Sequence, residues 1–332
     1  MAGVGATGRL AAGYSARPAR NDRRKEAAMD ALSKSREVAP VSLAIPCALF
    51  LILAGILAIE TGLLGSAPSE SAVHEPPVVT VASRDFRYRV AGEFFKNGYA
   101  VDAPVETVRM SAPLTVMKYQ VTAADYARCV AEQACPPAEP EHVPADPGST
   151  PATGVSFDDA QAYAAWLSRR TGAIWRLPTD EQLAFAAGSR FPDDALGVQD
   201  DGSNPALRWL ADYYRETARK ASREPEPQRL GHFGEGETGL SDFGGNVWEW
   251  TTTCVRRVTL DRTGNITSDA SSCGIYIATG KHRAALSSFV RKPKGGGCAV
   301  GAPPDNVGFR LVKDTRWYAP LLQTLREKGR DV

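Results

Sequence analysis

The chain has 332 residues, 43% hydrophobic and 23% charged, which is enough apolar material for one large domain or two small ones. The formal net charge is +1, and no Lys/Arg-rich run occurs in the body of the sequence. That balance excludes the electrostatic footprint of a nucleic-acid-binding protein.

Residues 1–37 read as a cytoplasmic, disordered N-terminus, rich at first in Ala, Gly and Arg. Met29 is an alternative start that still leaves Lys34 and Arg36 ahead of the apolar run. That run, residues 38–59, holds no charged side chain. At about 1.5 Å per residue it just crosses a hydrocarbon core of about 30 Å. It lacks the polar stripe of a buried core helix. Arg9, Arg17, Arg20, Arg23, Arg24, Lys25, Lys34 and Arg36 precede it, whereas Glu60 and Glu70 come after it, with no Lys or Arg before Arg84. The positive-inside rule then predicts a single-pass signal anchor over 38–60 in the cytoplasmic (inner) membrane, with the C-terminal part in the periplasm or its equivalent. Small residues at Gly65–Ala67 resemble a cleavage site, but Pro68 directly after them disfavours cutting. Cys47 lies inside the apolar run, not at its end, which argues against a lipoprotein.

A Pro/Ser-rich linker over 61–79 leads into a long domain over 80–314. Thr122 with Asp125, Ser156 with Asp159, and Thr179 with Gln182 each open a predicted helix as a capping box. The second of these helices places Tyr163, Trp166 and Leu167 on one face, and Gly172 supplies its stop. Beyond Gly188 the pattern breaks into loops and short strand-like runs, notably "NVWEWTTTCVRRVTL" and "VGFRLV". The expectation is an α+β domain with two or three helices and little regular sheet. A tail helix is predicted within 315–332, after Pro320.

In an oxidising compartment the cysteines are read first as disulfides. Five lie beyond the anchor, an odd number. Cys129 and Cys135 flank a helix end and suit a local bridge; Cys254 and Cys273 suit closure of the polar loop "DRTGNITSD". Cys298, in "GGGCAVG", is then left over. Such a thiol is reactive only where cations lower its pKa, and Lys281, His282, Arg283, Arg291 and Lys292 are near in sequence. The alternative is an inert or bonded cysteine. The four histidines, His74, His142, His232 and His282, do not cluster. "QDDGSN" at 199–204 is only a weak calcium-loop lookalike. "NIT" at Asn265 indicates a surface loop.

Four ordered segments carry a resemblance: "MKYQVTAADYARCV", "TPATGVSFDDAQAYAAWLSRRTGAIWRLPTDEQLAFAA", "GLSDFGGNVWEWT" and "NVGFRLVKD". Together, over about residues 86–314, they resemble the formylglycine-generating enzyme, or sulfatase-modifying factor, family. The resemblance implies a C-type-lectin-like formylglycine-generating fold with low regular secondary structure. It implies Ca²⁺ at "GGNVWEW", with side-chain oxygens from Asn246 and Glu249 and backbone carbonyls from Gly245 and Val247, all hard donors. A second such site would lie near "LRWLADYYRETARK". The family's activity is oxidation of a sulfatase cysteine to formylglycine by a pair of thiols holding copper, for which soft thiolates are suited.

That pair is missing. Counted back from Gly308, the thiols would fall near Ser287 and Lys292, and the preceding Gly-Gly-Ser element is absent. The leading expectation is a membrane-anchored binding or maturation factor for an exported protein or peptide, such as a sulfatase or metalloenzyme, with the oxidase chemistry lost or altered. Its groove would lie between the loops around 273–288 and 295–305. One rival is a copper- and oxygen-dependent oxidase with a rearranged site using Cys298, with Cys273 and His282 as helpers. Another is a calcium-stabilised structural module.

Overall fold

The structure, a computed structural model, describes residues 75–195, 226–296, 303–316 and 318–319, with scattered residues between 49 and 55 and between 210 and 218. The N-terminal tail, most of the anchor and linker, Cys298, "QDDGSN", most of "LRWLADYYRETARK" and nearly all of the tail helix lie outside these residues. Within the apolar run, Leu49, Phe50, Ile52 and Leu53 are helical and exposed. No helix among the described residues is long and apolar enough to cross a membrane.

The elements belong to the second of two separate units, Met1–Ser66 and Ala67–Val332. In chain order they are β1 (Val78–Val81), β2 (Arg84–Arg89), β3 (Glu93–Lys96), β4 (Tyr99–Val101), β5 (Val105–Met110), β6 (Leu114–Met117), α1 (Ala123–Ala131), α2 (Phe157–Thr171), β7 (Ile174–Arg176) and α3 (Asp180–Ala187). Then come β8 (Trp248–Leu260), β9 (Ile266–Thr279), β10 (Arg283–Ser287), a helical turn at Pro293–Gly296, β11 (Val307–Gly308) and β12 (Val312–Asp314). One antiparallel sheet runs β1-β6-β12-β7, a larger one β10-β9-β8-β3-β4 with β11 beside β8, and β2 and β5 form a separate pair.

The three helices begin where their caps lie. Ser156 and Thr179 make reciprocal capping boxes with Asp159 and Gln182. The Thr122 hydroxyl accepts from the Asp125 amide. Gly172 ends α2 in the left-handed region, at φ 70°. Tyr163, Trp166 and Leu167 are buried in a core shared with Trp248, Trp250, Phe309 and Leu311. A second core joins α3, through Leu183, Phe185 and Ala186, to β6 and β12.

Regular sheet is more extensive than expected. The polar loop expected between Cys254 and Cys273 is instead a long hairpin, β8 and β9. Its turn is set by Asp261, whose Oδ1 accepts from the Thr263 and Asn265 amides. The β-branched and small residues on both sides keep the backbone extended. Strand β1 also begins inside the segment read as linker, because Val78 and Val79 pair with Met117 and Val116.

Candidate functional site

The Trp-rich segment and the closing "GFR" meet through one buried ion pair. β11 lies parallel to the start of β8, with Val307 opposite Trp248 and Gly308 opposite Glu249. Gly308 is required there: a Cβ would sit 2.6 Å from the Ala152 carbonyl oxygen. This close approach brings Arg310 against Glu249, and both side chains are fully buried. Arg310 Nε donates to Glu249 Oε2 at 2.5 Å and Nη2 to Oε1 at 2.7 Å. The remaining guanidinium donors go to the carbonyls of Met117 (3.3 Å), Lys118 (2.9 Å) and Ser241 (2.9 Å). Gln120 Nε2 donates to Glu249 Oε1 at 2.7 Å. Three of the four family-like segments are thus tied to one charge pair with every Arg310 donor used, which is the condition for tolerating a buried ion pair.

The two side-chain donors expected for calcium are engaged elsewhere. Both Glu249 oxygens are taken by Arg310 and Gln120. Asn246 clamps a strand of backbone instead, its Oδ1 accepting from the Gln228 amide (2.9 Å) and its Nδ2 donating to the Gln228 carbonyl (2.8 Å). Gly245 is held against the Phe233 ring, where a Cβ would lie 2.4 Å from Cγ. Val247 is a buried core side chain. A cation at Glu249 would have to displace a guanidinium, so the Glu249 and Asn246 side-chain oxygens, engaged as they are here, do not fit a Ca²⁺ shell. Among the described residues no group of three or more His, Cys, Asp or Glu is arranged to hold a metal.

Of the two positions where thiols were sought, one lies beside a charged cleft. Ser287 ends β10, and five residues on the chain reads Lys292. The cleft is lined by Glu139, Glu141, Arg291, Lys292, Lys294 and Asp305. Arg291 donates to both oxygens of Asp159, at 2.6 and 2.9 Å, and to Glu139 at 2.8 Å. Lys294 reaches Glu141 at 2.9 Å. Asp159 is the capping carboxylate of α2, so its charge serves the helix N-terminus as well. Burial pushes its carboxyl pKa up, but Arg291 and the Ser156 amide and hydroxyl outweigh this and hold it below the ordinary value. The Glu139 wall is set by Gly154 at φ 68°, where a Cβ would lie 2.1 Å from the Glu139 carbonyl carbon.

The cysteines pair as Cys129–Cys135 and Cys254–Cys273. Cys273 is therefore half of a disulfide, which removes it as a free catalytic thiol. All four described cysteines are bonded, so they offer no thiolate pair to copper. His282 is buried, its ring edge-on to Trp248 at 5.1 Å, and its carbonyl accepts from the Trp248 indole. It packs as a core residue in the β9–β10 turn, and no described cysteine is left as a thiol for it to activate. Sequence reasoning gave Arg310 no role and saw Asp159 only as a helix cap. For Arg310 the signal was a motif ending in a long cation that has no solvent to reach once its neighbours are apolar.

Comparison with known proteins gives a coherent set. The sulfatase-modifying factor enzyme 1-like domain matches residues 65–315. The formylglycine-generating enzyme of Mycobacterium tuberculosis is 36% identical over 107 residues, 31% of this chain and 33% of that protein. The inactive C-alpha-formylglycine-generating enzyme 2 of Bos taurus is 27% identical over 173 residues, 49% of this chain and 50% of that protein. The chain thus spans half or less of the length of these curated relatives. Among solved structures, PvdO from Pseudomonas aeruginosa aligns at TM-score 0.46 and 18% identity, over 74% of this chain and 99% of that one.

Proposed function

The chain belongs to the sulfatase-modifying factor family, and from that premise we propose that it is a non-catalytic member, a binding or maturation factor for an exported protein, with the Cys-to-formylglycine oxidation lost. The domain would stand outside the cytoplasmic membrane, in the periplasm, tethered by residues 38–60.

One observation carries the reading. Where the resemblance places redox thiols, the chain has Arg291 locked to Asp159 and Glu139, with Lys292 beside them and the four described cysteines in disulfides. Guanidinium and ammonium groups held by carboxylates have no oxidisable atom and no affinity for Cu(I). Such a cleft can recognise charge and shape, and its described lining supplies no thiol. The likeness to a relative named inactive points the same way.

The test is to incubate the full chain with a Cys-x-Pro-x-Arg peptide, Cu(I) and oxygen, and to trap aldehyde with a hydrazide. The peptide is expected to return unchanged. Aldehyde above the no-protein control would overturn the reading and favour an oxidase working through Cys298.

A further inference from the structure

The two disulfides stand in opposite surroundings. Cys129 and Cys135 are 0% and 7% exposed and belong to the core that holds Tyr163 and Trp166. Cys273 is exposed and Cys254 half-buried. Their bond crosses the β8–β9 hairpin where the ladder is interrupted. Cys254 faces Tyr276 and Val255 faces Ser272, so Cys273, Gly274 and Ile275 bulge from β9 with no residue of β8 opposite them. Toward the tip the ladder runs on from Val255–Ser272 to Leu260–Ile266, and on the other side Trp250 pairs with Ala278. The hairpin is therefore held on both sides of the bond by its own backbone, and opening the bond does not release the strands. A disulfide that solvent reaches, and that its strands do not need for pairing, exchanges with thiols in the folded state. A buried one waits for the protein to open.

The bulge is connected to the charged cleft. The Gly274 carbonyl accepts from the Ser288 amide at 2.8 Å. The Ser288 carbonyl in turn accepts from the amides of Phe157 (2.9 Å) and Asp158 (3.4 Å), which open α2. Tyr276, opposite Cys254, stacks on Phe157 with ring centroids 3.7 Å apart. Just beyond Ser288, Arg291 holds Asp159, the capping carboxylate of the same helix, and reaches Glu139. Bulge, Ser288 turn and α2 N-terminus thus form one contiguous set of contacts from the disulfide to the cleft side chains.

We propose that Cys254–Cys273 is a reversible redox site that regulates the charged cleft. An external thiol opens the bond, the bulge relaxes, and the hold of Ser288 and Arg291 on the α2 N-terminus weakens. In the first step a thiolate attacks the Sγ of exposed Cys273. The S–S bond breaks and its electron pair leaves on the Cys254 Sγ, which takes a proton from solvent. A second thiolate attacks the outer sulfur of the mixed disulfide and frees Cys273. The bridge gains two electrons, and two external thiols become one disulfide; the oxidised thiol reverses the sequence. This deepens the binding role proposed above by naming what regulates its cleft. The aldehyde assay tests that role, and none of the readouts below depends on its outcome.

The full chain carrying Cys47→Ser and Cys298→Ser, which removes the cysteines outside the two bridges, is equilibrated with graded ratios of reduced to oxidised glutathione. Free thiols are trapped with N-ethylmaleimide and mapped by mass spectrometry. Cys254 and Cys273 are expected to open together at a ratio about tenfold or more below that needed for Cys129 and Cys135. Glutathione is expected on Cys273 at short times, and the bond is expected to close again in oxidised glutathione. In the selectively reduced protein, hydrogen exchange of peptides covering 157–159 and 288–291 should quicken by about tenfold or more, with α3 unchanged. The double variant Cys254→Ala, Cys273→Ala is expected to show the same exchange without any reductant. Three results would each overturn the proposal: both bridges opening at one ratio, a Cys254–Cys273 bond that opens only in urea that unfolds the domain, or equal exchange at 157–159 and 288–291 in the oxidised and reduced protein.

Discussion

Replacing Arg310 by Met probes the pair that ties the family-like segments together. The guanidinium makes two hydrogen bonds to Glu249 and three to the carbonyls of Met117, Lys118 and Ser241. Methionine keeps much of the stem's packing but removes all five. Glu249 keeps only Gln120 and becomes an uncompensated charge with no exposed surface. Removing one partner of such a pair costs about 3–5 kcal/mol. At about 2–4 °C per kcal/mol for a domain of this size, the melting midpoint is expected to fall by about 6–20 °C. The double variant Arg310→Met, Glu249→Leu removes the stranded charge as well and is expected to recover part of the loss. Thermal melts followed by near-ultraviolet circular dichroism measure both. A single variant within about 2 °C of the parent, or a double variant no better than the single, would refute the claim that this pair organises the fold.

The same geometry sets three further outcomes. Gly154→Ala meets the Glu139 backbone at φ 68°, whereas Gly172→Ala, at φ 70°, meets nothing within 4 Å; the first should lose several kcal/mol and the second only about 1 kcal/mol in denaturant titrations. Asp159 has a lowered carboxyl pKa, so its contribution is complete above its unfolded value near pH ~4 and is lost as pH falls through the folded one. The stability gap between parent and Arg291→Met, read by urea titration at several pH values, should accordingly be widest near neutral pH and close below about pH 4. With the Glu249 and Asn246 side chains already engaged, EGTA is expected to leave the melting midpoint unchanged; a fall of several degrees would restore a calcium site.

The helices were legible because each carries its own punctuation: a hydroxyl cap on all three, a reciprocal carboxylate or amide on α2 and α3 but not on α1, and for α2 a stop glycine. The disulfide partners were legible from local spacing. The hairpin was not, because "DRTGNITSDASSC" is polar throughout and its strand is exposed on both faces, so no apolar alternation marks it. The partner of Glu249 was hidden for a related reason. Asn246 and Glu249 have the chemistry of metal ligands, and only the fold shows that Arg310, sixty-one residues along the chain, already occupies the carboxylate. Long-range pairing of charges leaves no periodic trace in a single sequence. That Ser287 and Lys292 stand near the positions where the resemblance places thiols, by contrast, needed only counting from Gly308.

The most direct test of the non-catalytic reading is a cysteine map of the full chain. The protein is alkylated under denaturing conditions without reduction, then digested, and each cysteine is assigned by mass spectrometry. Cys129, Cys135, Cys254 and Cys273 are expected to stay unlabelled and to appear as the cross-linked pairs 129–135 and 254–273. A chain bonded in this way has at most Cys298 as a thiol within residues 80–314, and one thiol cannot supply the two thiolates that copper-dependent oxidation requires. Stoichiometric labelling of Cys273 or Cys254, with Cys298 also free, would contradict the non-catalytic reading.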